Sequence, residues 1–209
     1  SPPGRAIVRC GVTRSPAEGR ARTAGAGPAS VCEPGRMSAV PPTVSGAKVR
    51  LRPIAVADLP RAAEFVYTLS ITEPMIDLTR LTEVHSATGF WLDDWGALAI
   101  EELATGRLLG TTQFYRSGPC IHGFEIGYVI HDESDWRRGF GSEALRLMSS
   151  IVFGRHPNCH RLQLIIETWN EASWRLAERC GYQREGILRM AGYTSEFPQD
   201  CFVYSLIAA

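Results

Sequence analysis

The chain has 209 residues, 22 basic and 22 acidic side chains, and 44% hydrophobic content. With a mean hydropathy of −0.08 and a pI near 6.9, it reads as a soluble globular protein long enough for one well-packed domain. Balanced charge excludes a nucleic-acid binder that works by bulk charge, and no apolar run approaches the ~20 residues of a membrane-spanning helix.

The zero net charge averages two unlike segments. Residues 1–47 set six arginines against two acids, a net +4, and residues 48–209 set 16 basic residues against 20 acids, a net −4. The first segment also holds seven glycines and seven prolines and lacks apolar periodicity, so it reads as a disordered Arg/Gly/Pro-rich tail. Three origins stay open for it: an organelle transit peptide, a functional basic arm, or an extension upstream of a start at Met37-Ser38. It has no apolar stretch of the secretory type.

From Val49 the pattern becomes structured. Val49–Arg52 alternates as a strand ended by Pro53. Asp58 is a candidate N-cap for a helix to about Leu69, residues 70–80 read as a loop around Pro74, and a second helix is expected over residues 82–94. Two strand-like runs, 97–103 and 108–115, flank Ala-Thr-Gly-Arg as a hairpin, and Phe124–Ile130 is a third apolar run. Residues 139–152 carry apolar side chains at helical spacing, and Arg161–Glu167 has the composition of a buried strand. Asn170 caps a helix ending near Cys180, with Gly181 just beyond it. Strands around 182–188 and 201–207 close the chain. This order gives one mixed α/β domain over residues 48–209.

Six cysteines are scattered with no CxxC pair, which fits reduced thiols in a cytoplasmic protein better than a disulfide framework. His156, Cys159 and His160 lie close together, but Pro157 breaks helical spacing and no second ligand pair follows, so the segment reads as a loop and no metal is expected.

Chemistry concentrates in Glu125-Ile126-Gly127-Tyr128-Val129-Ile130 and the following Asp135-Trp136-Arg137-Arg138-Gly139-Phe140-Gly141-Ser142. A strand leads through a basic, glycine-containing turn into a helix start, whose unpaired N–H groups and positive dipole suit a pyrophosphate. Arg137 and Arg138 add charge-assisted donors. Neither a Walker-type phosphate loop nor the third glycine of a dinucleotide fingerprint is present. Taken alone, the segment is equally an exposed basic turn capping a helix.

Downstream, Asn170-Glu171-Ala172-Ser173-Trp174-Arg175-Leu176-Ala177 leads to Cys180-Gly181-Tyr182. Together the two stretches closely resemble the GNAT superfamily of acyl-CoA-dependent N-acyltransferases, nearest its Rim-type branch of ribosomal-protein N-terminal acetyltransferases. The resemblance spans residues 48–209 and implies a GNAT fold, a mixed and mostly antiparallel twisted sheet flanked by helices. It implies acetyl-CoA, or another acyl-CoA, as co-substrate. Backbone groups of Tyr128, Val129 and Ile130 would pair with its pantetheine arm, and amides from Arg137, Arg138, Gly139, Phe140, Gly141 and Ser142 would hold its pyrophosphate. Asn170 would bond the arm, and Ser173 sits where Rim-type enzymes carry a serine suspected of protonating the departing thiolate. The tyrosine that many relatives use instead corresponds to Ala177.

Two departures stand out. Trp136 replaces the usual Gln or Arg, and no acid lies between Glu185 and Glu196, where some Rim-type enzymes carry a glutamate. A primary amine with a pKa of about 10 must lose a proton before attack, so Glu125 is the first candidate base, Glu167 the second and solvent the third. Candidate walls for the acceptor are Phe90, Trp91, Trp95, Tyr115, His122 and Tyr193, although aromatics at such spacing are also ordinary core.

The reaction implied is direct attack in a ternary complex on a protein N-terminus, an amine-bearing antibiotic or secondary metabolite, or a polyamine. Arginine in place of most lysines suggests a high-GC bacterial gene, and the chain is expected as a monomer or homodimer. The contrasting class is a non-catalytic acyl-CoA sensor that kept the phosphate cradle and lost the base.

Overall fold

The computed structural model describes residues 40–65, 77–116, 122–193 and 198–208. Cys10, Cys32 and Cys120, and most of the basic tail, lie outside them. Ordered backbone begins upstream of residue 48: β1 (Val44–Ser45) pairs antiparallel with β2 (Val49–Arg52). The cause is tertiary. The Glu143 carboxylate accepts the backbone N–H groups of Ala47, Lys48 and Val49, each at 2.7 Å.

Helix α1 covers Leu59–Ala63, and the expected continuation over 66–69 lies outside the described residues. Asp58 makes no side-chain cap to this helix; its carboxylate instead accepts from Arg52 at 2.7 Å and from the Ala55 N–H at 2.8 Å. Helix α2 runs Leu78–Thr88 rather than 82–94, because Asp77 caps its start through the Arg80 N–H and Gly89 stops it in the left-handed region at φ 56°. Phe90 and Trp91 therefore follow the helix, and Trp91 bridges to Gly96. A Cβ on Gly96 would stand 2.5 Å from the Trp91 ring, which fixes that glycine by close approach.

Strands β3 (Trp95–Glu102), β4 (Leu108–Tyr115) and β5 (Phe124–Ile130) form an antiparallel meander. Helix α3 (Phe140–Arg155) crosses to β6 (Arg161–Glu167), α4 (Glu171–Arg179) follows, and β7 (Gln183–Tyr193) and β8 (Pro198–Ile207) close the chain. The eight strands order as β1-β2-β3-β4-β5-β6-β8-β7, and β5–β6 is the parallel contact in an otherwise antiparallel sheet.

Strand alternation divides the side chains between two cores. On one face Leu98, Phe114, Ile126, Leu164 and Ile166 pack with Leu145 and Met148 of α3 and Ala177 of α4. On the other, Trp95, Ala97, Ala99 and Tyr115 pack against Leu59 of α1 and Leu81 of α2. No helix among the described residues is long and apolar enough to cross a membrane.

Candidate functional site

The site begins where β5 and β6 part. Their parallel register holds for two pairs, Phe124 with Leu162 and Glu125 with Gln163. Beyond these, Ile126–Ile130 and Leu164–Glu167 diverge, leaving an edge of β5 toward a cleft. The backbone of Tyr128, Val129 and Ile130 lies on this stretch of β5, beyond its last pair with β6.

At the end of that strand the chain turns sharply into α3. Arg137 takes φ 61° and Gly139 φ 89°, and Gly139 occupies the N-cap, so no side chain caps the helix. The first N–H groups of α3, those of Phe140, Gly141 and Ser142, are the ones that intrahelical bonding leaves over. The turn is anchored by Asp135, which is buried and takes both Arg107 donors at 2.7 and 2.8 Å and Arg138 at 3.0 Å. The Arg107 pair holds the Asp135 carboxyl below its ordinary range. Trp136 fills the departure from the family pattern with a structural role: its indole N–H donates to the Ile130 carbonyl at 3.1 Å.

The two arginines of the turn differ. Arg137 is exposed. Arg138 is held by Asp135 and Glu102 and lies 4.8 Å above the Phe140 ring, so its side chain serves the turn, while its carbonyl accepts from Lys48 Nζ at 2.9 Å. Gly141 lets α4 pack close, since a Cβ there would meet the terminal methyl of Leu176 at 2.9 Å and displace it.

Across the cleft, Ser173 and Asn170 open α4. Asn170 Oδ1 accepts the Ser173 N–H at 3.2 Å, a side-chain N-cap. Its Nδ2 is buried with no partner among the described residues, a donor left over at the cleft. Ser173 is also buried, and its Oγ lies 2.8 Å from the Tyr128 hydroxyl. Burial pushes the Tyr128 hydroxyl pKa well up, which keeps it protonated and able to donate.

Glu125 sits on the opposite face of the sheet, buried, where the two strands last touch. Its Oε1 accepts from the Tyr115 hydroxyl at 2.6 Å and its Oε2 from Gln163 Nε2 at 3.1 Å. Trp95, Tyr115, Glu125, Gln163 and Ser205 are successive cross-strand partners. Sequence reading missed Gln163; the signal was a glutamine in the otherwise apolar Arg161–Glu167 run. Glu167, the second candidate base, is buried at the far end of β6 on the same face as Glu125.

The aromatic walls take other places. Phe90, Trp95 and Tyr115 belong to the core beneath α1 and α2, and Trp91 belongs to the main core against Phe114. Large side chains entering a closed sheet layer pack rather than line a groove. His122 is exposed ahead of β5. Tyr193 ends β7 opposite Pro198, and its side chain lies outside the described residues. The His156 ring lies tilted against Phe114 and Phe124, while the Cys159 thiol meets the Arg161 carbonyl at 3.3 Å. Among the described residues no three His, Cys, Asp or Glu side chains converge as metal ligands.

Comparison with known proteins bears on this arrangement. The family model described as "Acetyltransferase (GNAT) domain" matches residues 48–183. The uncharacterized N-acetyltransferase YoaA of Bacillus subtilis (strain 168) is 38% identical over 113 residues, which is 54% of this chain and 61% of the relative, so the chain spans under two thirds of that protein's length. Among solved structures, a ribosomal-protein-S5-alanine acetyltransferase from Vibrio fischeri superposes with a TM-score of 0.59 at 16% identity, over 79% of this chain and 96% of the other. A spermidine/spermine N-acetyltransferase from Vibrio cholerae gives 0.64 at 18%, over 77% and 93%. At such identities the two structures establish the shared fold.

Proposed function

The chain belongs to the GNAT acetyltransferase family, and we propose that it is an N-acetyltransferase that moves an acetyl or small acyl group from acyl-CoA to a primary amine. The observation that carries this reading is the parting of β5 from β6, with a buried carboxylate on one face and a buried hydroxyl pair on the other. The residues fit the co-substrate: the leftover α3 amides suit its pyrophosphate, and the unpartnered Asn170 Nδ2 suits a carbonyl of its arm. When bound, its thioester supplies an acyl carbon open to an amine.

Each side chain then has a task. Tyr115 and Gln163 hold the Glu125 carboxylate in one orientation. Glu125 takes the amine proton directly or through water. Ser173 donates to the departing sulfur, and the Tyr128 hydroxyl orients it. Base and acid work from opposite sides of the sheet, which separates the entry of the amine from the exit of the thiol.

The acceptor proposed first is a protein N-terminus, supported by the Rim-type resemblance and by the ribosomal-protein acetyltransferase among the structural neighbours. A spermidine enzyme shares the fold equally well, and fold does not select substrate. The test is acetyl-CoA turnover against N-terminal peptides, polyamines and amine antibiotics, read as released thiol with mass spectrometry of the product. In Glu125→Gln the acidic limb of the pH–rate profile should vanish, while an unchanged profile and rate would remove Glu125 as the base. Tight CoA binding without turnover of any amine would favour the acyl-CoA sensor.

A further inference from the structure

Resting on the acyl-CoA reading above, we propose that Arg107 is a positioning residue for acyl-CoA binding. From the β3–β4 hairpin it holds the turn into α3 in its binding shape, acting through the buried Asp135 rather than on the co-substrate.

That turn has to be held. Between β5 and α3 the backbone enters the left-handed region twice, at Arg137 with φ 61° and at Gly139 with φ 89°. Glycine adopts this region freely, but a residue with a Cβ is crowded there by the following carbonyl. Gly139 therefore needs no support, and Arg137 does. Two residues before Arg137 stands Asp135, the last residue of the short turn Glu133–Asp135, its side chain 1% exposed. A carboxylate buried so far stays in place only where its charge is met. Arg107 meets it with both ends of its fork, at 2.7 and 2.8 Å, one on each carboxylate oxygen, and Arg138 adds a bond at 3.0 Å.

The two arginines are not equivalent. Arg138 belongs to the turn itself, three residues from Asp135, and moves with it. Arg107 reaches in from a hairpin whose own shape is fixed. Its carbonyl accepts the Glu102 N–H at 2.9 Å, the Gly106 N–H donates to the Glu102 carbonyl at 2.8 Å, and Gly106 supplies the left-handed corner at φ 72°. The Glu102 carboxylate takes the Thr105 hydroxyl at 2.7 Å and lies 3.5 Å from both Arg107 and Arg138. One set of charges thus ties the turn to β3 and β4, inside the eight-stranded sheet. Donors fixed before an anion arrives spare the cost of ordering them on binding. Without Arg107, Asp135 loses its bidentate partner. A pyrophosphate would then meet a looser turn and, close by, a carboxylate whose charge is less fully offset.

The experiment is calorimetric titration of the full chain with CoA, for wild type, Arg107→Gln, Arg107→Lys, Asp135→Asn and the double variant Arg107→Gln/Asp135→Asn. The Arg107 side chain is 44% exposed, so its replacement leaves the core intact. Arg107→Gln should bind CoA about tenfold more weakly. Arg107→Lys should share that loss, because an ammonium cannot span both carboxylate oxygens, and the double variant should be no weaker than the worse single. In turnover with the most active amine of the panel above, Arg107→Gln should raise the KM for acetyl-CoA and leave kcat within about twofold. Wild-type affinity in Arg107→Gln, full affinity in Arg107→Lys, or losses that multiply in the double variant would overturn the role. So would a fall in binding stoichiometry at wild-type affinity, which reads as lost folded protein. If wild type itself does not bind CoA, the acyl-CoA reading falls and the role of Arg107 with it.

Discussion

His131 follows β5 directly, buried beneath α1 with its ring stacked on Phe65 at 4.2 Å and 7°. Neither ring nitrogen has a hydrogen-bond partner among the described residues. Burial, and then the nearby Arg61 charge, push its pKa from 6.5 down to about 4, against the opposing pull of Asp132, Glu64 and Asp58. The folded state thus prefers the neutral ring. Its contribution is fully present above pH 6.5 and is lost as pH falls toward 4, because the unfolded chain binds the proton first. Linkage from these two values gives about 2 kcal/mol lost between pH 7.5 and 5, and at most about 3 kcal/mol over the whole titration.

His131→Phe keeps the stack and removes two buried polar atoms, which should add about 1 kcal/mol at pH 7.5. The gap between variant and wild type should then widen by about 2 kcal/mol at pH 5, read by urea unfolding at half-unit steps. His156 is also held below its ordinary value by burial, but it is common to both proteins and cancels in the difference. Parallel stability curves for the two proteins between pH 7.5 and 5 would refute the reasoning.

Two further outcomes test the cleft. Asn170→Ala should cost about 1 kcal/mol by loss of the α4 cap and weaken CoA binding about tenfold through loss of the buried Nδ2 donor; a destabilised variant with wild-type CoA affinity would leave Asn170 a cap alone. Tyr128→Phe and Ser173→Ala should each lower kcat with little change in the KM for acetyl-CoA, and the double variant should be no slower than the worse single. Multiplying losses would mean the two hydroxyls act independently.

Much of the fold was legible because local signals agreed. The Phe124–Ile130 and Arg161–Glu167 strands carry the right side-chain composition and appear with those bounds, and Asn170 and Gly181 mark both ends of α4. Helix α2 was misplaced because Phe90 and Trp91 continue an apolar pattern that Gly89 has already interrupted in the backbone. Ordering at residues 44–47 depends on Glu143, nearly 100 positions away, and no local pattern announces that.

The sequence by itself determined the kind of site: a glycine-bearing turn into a helix, a capped second helix and a lone glutamate on a buried strand are local chemistry, readable from residue types and spacing. Tertiary structure decided how those parts are used. It put Glu125 and Ser173 on opposite faces of the sheet, turned Arg138 to Asp135 and sent four predicted wall aromatics into the cores. It also brought Arg107 to Asp135 from the β3–β4 hairpin. A charge or a ring acts on whatever it reaches, and reach between distant segments is set by strand register and helix packing, which spacing along the chain does not encode.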